Sequence, residues 1–345
     1  MSSPSQKIQE TFRSLLEDTG TDGQRVRLRV DDGSPISIYA ARSFPSGNLL
    51  LEIGPIEKAH LSGGFSLPRI RGLTATYDPG LKGTGQIALL LELMQMENMD
   101  VFTIFVARVC EALDSLSHPA KAARMVVALI EQWKHFFSVT SALLSEPAQT
   151  GLYGELLVLS KLHEHQVPLA CVITAWTGSK KTNQDFEFGD RSVEVKSTAA
   201  VDTSSVSITN IRQLDDTGLK FLFLARVVLD ARQGSESTLP VLINKLRTLV
   251  LKEAPERYLD LEQKLLDAGY RDTQVENYSN RTYAERSVDV YHVAGGFPRI
   301  LERDPPDGVK NVSYSIDIEL CAPHQISTED AFEKIRESCD RKSGI

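Results

Sequence analysis

The chain has 345 residues, 41% of them apolar and 24% charged, which excludes a disordered, collagen-like or membrane-embedded protein. Its length suits two domains, or one domain with a large extension. With 38 Lys and Arg against 46 Asp and Glu the formal charge is -8, so wholesale attraction to nucleic acid or acidic lipid is not expected. A polyanion would have to be held by a local basic patch or through bound metal.

The acid excess is uneven. Residues 1–147 carry 14 basic and 16 acidic side chains, and the rest carry 24 and 30, so the deficit gathers in the second part. Cys110, Cys171, Cys321 and Cys339 lie far apart without a CxxC and read as buried or incidental thiols of a reducing compartment. The start, MSSPSQKIQETF, lacks a signal-peptide pattern, and no apolar run approaches the ~20 residues of a membrane span. The expectation is a cytoplasmic protein with no membrane partner.

In chain order, a short amphipathic segment at Ile8–Leu16 leads into a β-rich region. Alternation predicts strands at Arg25–Val30, Ile36–Ala40, Asn48–Ile53 and Ile70–Tyr77, separated by turn formers such as Pro45-Ser46-Gly47. Ile87–Met96 fits strand or helix. Helical periodicity follows over Val101–Leu116 and Ala120–Phe137, and a boundary falls near Ser145-Glu146-Pro147. Beyond it the pattern predicts a helix at Gln149–His163, a strand at Val172–Trp176, and β segments at Asp185–Phe188 and Ser192–Ser197. A turn or short helix near Thr209–Leu214 precedes a buried strand at Leu219–Leu229. Helices at Leu239–Lys252 and Arg257–Ala268, strands at Val288–Val293 and Val312–Cys321, and a terminal helix at Thr328–Ser338 complete an α/β order with a mixed sheet.

The informative stretch is Asn183-Gln-Asp185-Phe-Glu187-Phe188 followed by Val193-Glu194-Val195-Lys196-Ser197. If the two β segments pair around a four-residue connection, Glu187 opposes Glu194 and Asp185 opposes Lys196. Phe186, Phe188, Val193 and Val195 then share one face, and Asp185, Glu187, Glu194 and Lys196 the other. Three carboxylates around one amine repel each other unless a cation joins them. Mg²⁺ suits such a set, since it is commonly held by one or two carboxylates beside substrate phosphates, and the lysine would orient or deprotonate the attacking water. The alternative is a solvated hairpin face with amphipathic patterning alone.

Other patterns carry less. Glu262-Gln-Lys264 and Asp340-Arg-Lys342 repeat acid-x-lysine, one on a helix and one in a polar tail, and neither follows a strand ending in an acid. His163 and His165, two apart on a helix, face away from each other. Gly80-Leu-Lys82-Gly-Thr-Gly85 lacks the P-loop order. Trp176 reads as a core or rim aromatic.

Asp185 followed by Glu194-Val195-Lys196 on the next strand resembles the PD-(D/E)XK nuclease superfamily. Gly151-Leu-Tyr-Gly154-Glu155-Leu, Trp176-Thr-Gly, Gln184-Asp-Phe, Val193-Glu-Val-Lys and Gln213-Leu214, in that order, resemble a bacterial subfamily found among restriction and phage-defence genes. The likeness is specific over Gly151–Leu214 and looser to Cys321. It implies a restriction-endonuclease-like core over residues 148–322; the β-rich region with connecting helices before it (residues 1–147), read from patterning, is a candidate for DNA or partner binding, and a C-terminal helix and tail (323–345) follow. It implies Asp185 and Glu194 as ligands of Mg²⁺, with Mn²⁺ as substitute, and the Val195 carbonyl completing the shell. Lys196 would be the catalytic lysine, Glu155 an auxiliary acid or ligand, and Gln213 a weaker auxiliary. The proline that names the motif is absent, and Gln184 stands in its place. Glu187 matches no ligand of the superfamily. Lys180 and Lys181 are candidate DNA contacts. The expected function is a metal-dependent endonuclease acting on DNA, with a helicase, ATPase or DNA methyltransferase as partner and a homodimer compatible. The alternative is a non-catalytic DNA- or protein-binding subunit of the same fold.

Overall fold

The computed structural model describes residues 4–30, 36–57, 67, 70, 72–78, 85–114, 121–138, 143–178, 183–232 and 237–343. The chain divides into two compact units, Met1–Ser141 with Arg271–Thr273, and Ala142–Tyr270 with Gln274–Ile345.

In the first unit, β1 (Arg25–Arg29), β2 (Ile38–Ser43), β3 (Leu49–Glu57), β4 (Leu73–Asp78) and β5 (Gln86–Leu93) form an antiparallel sheet in the order β1-β2-β3-β5-β4. The ambiguous segment is a strand because its apolar residues alternate: Ile87, Leu89, Leu91 and Leu93 are buried while Gln86, Ala88, Leu90 and Glu92 are half-exposed. Helices α1 (Pro4–Glu17), α2 (Met99–Asp114) and α3 (Ala122–Ser138) complete the unit. Ile8, Phe12 and Leu15 of α1 recur at helical spacing and are buried, and Phe12 lies 5.4 Å from Phe102 of α2. Phe105 and Trp133 join α2 to α3 edge to face, 5.7 Å apart.

The second unit opens with α4 (Glu146–Glu164), whose N-cap Ser145 accepts from the Ala148 N–H with Pro147 just inside the helix. Then come α5 (Leu169–Ala175), β6 (Phe186–Glu187), β7 (Arg191–Thr198), β8 (Ser205–Ile208), a 3-10 turn at Ile211–Leu214, β9 (Phe221–Arg232), α6 (Leu239–Glu253), α7 (Tyr258–Asp267), α8 (Val275–Tyr278), β10 (Thr282–His292), β11 (Tyr314–Asp317), β12 (Gln325–Ile326) and α9 (Thr328–Ser343). The central sheet runs β12-β10-β9-β7-β6 and is mixed, with β7 parallel to β9 and the other pairs antiparallel. The fold is therefore α/β with a mixed sheet. One sheet face carries Leu222 and Leu224 into a cluster with Val206, Ile208, Leu214, Tyr291, Phe297 and Ile316, so the β8–β11 pair and the 3-10 turn cover it. On the opposite face lie α4 and α9, the latter tied by Ser338 Oγ to the Phe188 carbonyl at 2.6 Å.

Three expectations are corrected. Val172–Trp176 is not a strand: Leu169, Val172 and Ile173 recur at i, i+3 and i+4, all are buried, and Pro168 starts the helix α5. Val312–Cys321 is not one strand but the short β11 followed by a 3-10 segment, Glu319–His324, with Pro323 inside it. Cys171 on α5 and Cys339 on α9 are not separate thiols; they form a disulfide with Cα atoms 6.1 Å apart. Among the described residues no helix is long and apolar enough to cross a membrane.

Candidate functional site

The site sits on the β6–β7 hairpin. Phe186 pairs with Val193 and Glu187 with Ser192, and the Phe188 N–H donates to the Arg191 carbonyl at 2.8 Å. The turn is thus Gly189-Asp190, with Gly189 at φ 90°, where glycine carries no steric penalty. This corrects the expected register by two residues. Two is the period of a strand, so the face assignment survives the slip while the opposite numbers change. Continued by one residue, the register sets Asp185 across from Glu194 rather than Lys196. Glu187, now opposite Ser192, is exposed and outside the acid cluster.

Asp185 Oδ2 accepts from the Val195 N–H at 2.7 Å, so what Val195 brings to Asp185 is its N–H. Glu194 is 1% exposed beside Leu224 of β9. Its Oε1 lies 2.7 Å from Lys196 Nζ, close enough for an ion pair, yet neither carboxylate oxygen makes an aligned hydrogen bond. Lys196 Nζ also donates to Gln213 Oε1 at 3.0 Å, and that oxygen accepts from the Thr209 N–H at 3.1 Å as well. Asn210 caps the turn that carries Gln213 by accepting from the Arg212 N–H.

Glu155 comes from α4. A Cβ on the neighbouring Gly154 would stand 1.7 Å from Ser197 Oγ and 2.7 Å from Ser197 Cβ, so only glycine lets the helix lie this close to β7. Glu155 Oε2 accepts from the Trp176 indole N–H at 2.8 Å. Trp176 is itself set by Lys264, whose ammonium donates to the carbonyls of Ile173, Thr174 and Trp176 at the end of α5.

Electrostatically the cluster is short of positive charge. Burial, then the Asp185 charge, pushes the Glu155 carboxyl up to about 8. Burial raises Asp185, with the Val195 N–H and Lys196 opposing, and burial followed by the Asp185 charge holds Glu194 well above the usual carboxylate range. Among the described residues no group of three or more His, Cys, Asp or Glu has metal-holding geometry. The donor set nevertheless fits a hard divalent cation: the oxygens of Glu194 are buried without hydrogen bonds, and Mg²⁺ uses one or two protein carboxylates rather than a full protein cage.

The structure brings Asp185, Glu194, Lys196, Gln213 and Glu155 into this cluster, and leaves Glu187 out. Lys180 and Lys181, and residues 80–84 of the glycine-rich segment, lie outside the described residues. His163 and His165 part as expected, toward Glu253 and Glu329. Sequence reasoning missed the contacts of Trp176, Lys264 and Gln184. Gln184 is 6% exposed and donates to the carbonyls of Arg212 and Gln213, which fixes the Gln213 turn. Trp176 and Gln184 did stand within the motif segments, so the signal was their place in the order and not their chemistry.

A mixed α/β core with an acid-x-lysine strand beside a helix glutamate is the arrangement of a PD-(D/E)XK-type protein. The family model described as "Putative PD-(D/E)XK family member, (DUF4420)" matches residues 8–319, and the chain belongs to this family. No curated protein and no solved structure matches the chain.

Proposed function

We propose that the protein is a metal-dependent endonuclease that hydrolyses phosphodiester bonds in DNA, as a cytoplasmic component of a bacterial restriction or phage-defence system. The observation that carries this reading is Glu194: an acid 1% exposed, without aligned hydrogen bonds, beside a lysine and a second raised carboxyl. Such an arrangement costs stability in the free protein, which argues that it is kept for chemistry. Asp185 and Glu194 would hold the cation, Mg²⁺ or Mn²⁺, with Glu155 and the Val195 carbonyl as further oxygens. When bound, the cation supplies charge neutralisation at the phosphate oxygens.

The chain's own groups do the rest. The Lys196 ammonium has three N–H donors; one goes to Gln213 Oε1, the charge lies in ion-pair range of Glu194, and a remaining N–H is the one to meet a phosphate oxygen or the attacking water. Gln213 and Glu194 together fix its position. With Oε2 of Glu155 accepting from Trp176, a proton on Glu155 sits on Oε1. In-line attack of water at phosphorus breaks the bond to the 3′-oxygen and leaves a 5′-phosphate. The net charge of -8 gives weak intrinsic hold on DNA, so delivery by a helicase, ATPase or methyltransferase partner belongs to the proposal.

Plasmid nicking with Mg²⁺ or Mn²⁺ tests the reading. Cleavage is expected to fall at least about a hundredfold in Lys196→Ala and in Asp185→Ala. Metal-dependent nicking that survives both substitutions would sink it. The Lys196–Glu194 ion pair favours one second reading, a non-catalytic DNA- or protein-binding subunit, because the lysine already occupies the acid. In that case both variants and the wild type leave the plasmid intact, with and without metal.

A further inference from the structure

Beside the candidate catalytic cluster lies a cavity of about 420 Å³, bordered by Asn183, Glu187, Ser192, Arg212, Asp215 and Glu302. It adjoins the cluster through the chain itself. Asn183 and Glu187 lie two residues either side of Asp185, Ser192 lies two before Glu194, and Arg212 precedes Gln213. Alternation puts Glu187 and Ser192 on the same sheet face as Asp185 and Glu194, displaced by one strand repeat, roughly 7 Å.

The charges select what can enter. In the cavity wall Glu187, Asp215 and Glu302 stand beside one guanidinium, Arg212, which is already ion-paired with Glu302, while Arg299 and Arg303 act on Asp215 from outside the wall. The surplus is negative, so the cavity repels a phosphate. Ionised carboxylates only accept hydrogen bonds, so a suitable ligand must present donors, and in a nucleic acid those are the uncharged N–H groups of the bases. Asp215 is braced for this, because its Oδ1 accepts from both the N–H and the hydroxyl of Thr217, at 3.0 and 2.7 Å. A second observation is independent of the acids. Ser192 is 1% exposed, its hydroxyl has no hydrogen-bond partner, and it sits in the cavity wall. A buried hydroxyl left unpaired marks a place where a polar group is missing.

In nucleic acid, uncharged N–H donors are the exocyclic amino groups of cytosine (N4), adenine (N6) and guanine (N2) and the ring N–H groups of guanine (N1) and thymine (N3); thymine has no amino group, and its one N–H lies between two carbonyl oxygens that carboxylates repel. Carboxylates are the side chains that accept from cytosine N4. We propose that this cavity is a base pocket, which takes an amino-bearing nucleobase, cytosine foremost, from the nucleotide next to the phosphodiester at the candidate site. Glu187 and Asp215 accept from the amino group, and Asn183 and Ser192 meet the remaining base edge. A base reaches such a pocket from a single strand or by rotation out of a duplex, at a cost of a few kcal/mol of lost stacking and pairing. The inference rests on the nuclease reading for the identity of the polymer, and gives Glu187, which the cluster leaves out, a role in selecting sequence.

Binding measured without cleavage separates the two. Fluorescence anisotropy with short deoxycytidine and thymidine homo-oligomers, in EDTA and at low salt, reads the pocket directly. The full-length protein is expected to bind the cytosine oligomer about tenfold more tightly than the thymine one. Glu187→Ala, at an exposed position, reduces that ratio, and Glu187→Ala with Asp215→Ala brings it to about one. Equal affinity of the wild type for both oligomers, or a preference that survives the double substitution, overturns the base pocket and leaves the nuclease reading standing. Binding of neither oligomer overturns the base pocket as well, and the nuclease reading then rests on the plasmid assay alone.

Discussion

Two glutamates of the second unit are equally buried and built for different ends. Glu262, on α7, is 2% exposed, and its two oxygens accept from Nε and Nη2 of Arg247 on α6 at 2.7 and 2.8 Å. Glu194, on β7, is 1% exposed and has only a lysine that it shares with Gln213. The first pair is complete: charge, fork geometry and hydrogen bonds match, and the helices close over it. The second has a charge partner but neither the fork geometry nor aligned hydrogen bonds. Burial alone therefore says nothing about role; what distinguishes a structural acid from a candidate ligand is whether the fold has supplied its complement.

Breaking the complete pair should produce the largest change. Arg247→Leu strands a buried carboxylate and is expected to cost about 3–5 kcal/mol in urea unfolding. A loss near zero would mean that Glu262 is no better satisfied than Glu194, and the contrast would fail. Neutralising the incomplete site has the opposite sign. Glu194→Gln removes a buried acid whose one ion-pair partner, Lys196, is shared with Gln213, and is expected to stabilise the protein in EDTA by on the order of 2 kcal/mol at alkaline pH. The pH dependence follows from the same acids. Glu155, Asp185 and Glu194 all titrate higher in the folded protein than in the unfolded chain. Their contribution is therefore full below about pH 4 and is lost as pH rises toward the Glu155 value of about 8. Thermal unfolding in EDTA across that range should show a decline that Glu194→Gln flattens; a rise would reverse the assignment of these shifts.

A smaller test uses the two glycines of α4. Gly154→Ala forces a Cβ into Ser197 and should cost about 1–3 kcal/mol despite the better helix propensity of alanine. At Gly151 a Cβ meets nothing within 4 Å, so Gly151→Ala should stabilise by up to about 1 kcal/mol. Equal effects at both positions would remove the close approach of α4 to β7 from the account of how Glu155 is placed.

The face shared by Asp185, Glu194 and Lys196 was legible because alternation is a property of the strand itself. The register was not, since hydrophobic patterning tolerates a slip of two and the turn at Gly189-Asp190 decides it. α5 was misread because Val172-Ile-Thr is β-branched, and in so short a run the helical spacing of Leu169, Val172 and Ile173 is easily missed. β8 is four residues long and half polar, and it gains its identity from Tyr314–Asp317 far along the chain. Cys171 and Cys339 are 168 residues apart, and spacing holds no information about two side chains that meet only through α9. The hydrogen bonds of Trp176 and Gln184 belong to tertiary packing, so their membership of the motif segments was visible while their tasks were not.

The path of the chain at Arg271–Thr273 bears on how this protein can be divided. Those three residues belong to the first unit although the sequence on both sides belongs to the second. Arg271 is 5% exposed, and its charge opposes the rise that burial imposes on the carboxyl of Asp100, whose Oδ2 has no hydrogen-bond partner. No single cut separates the units. A fragment that stops at Ser141 forfeits the cation facing Asp100, and one that begins at Ala142 carries a stretch whose packing partners are gone. The N-terminal unit is thus not an exchangeable cassette: grafting it onto another core would require the tripeptide to travel with it, and an insertion near Tyr270 would be felt in both units.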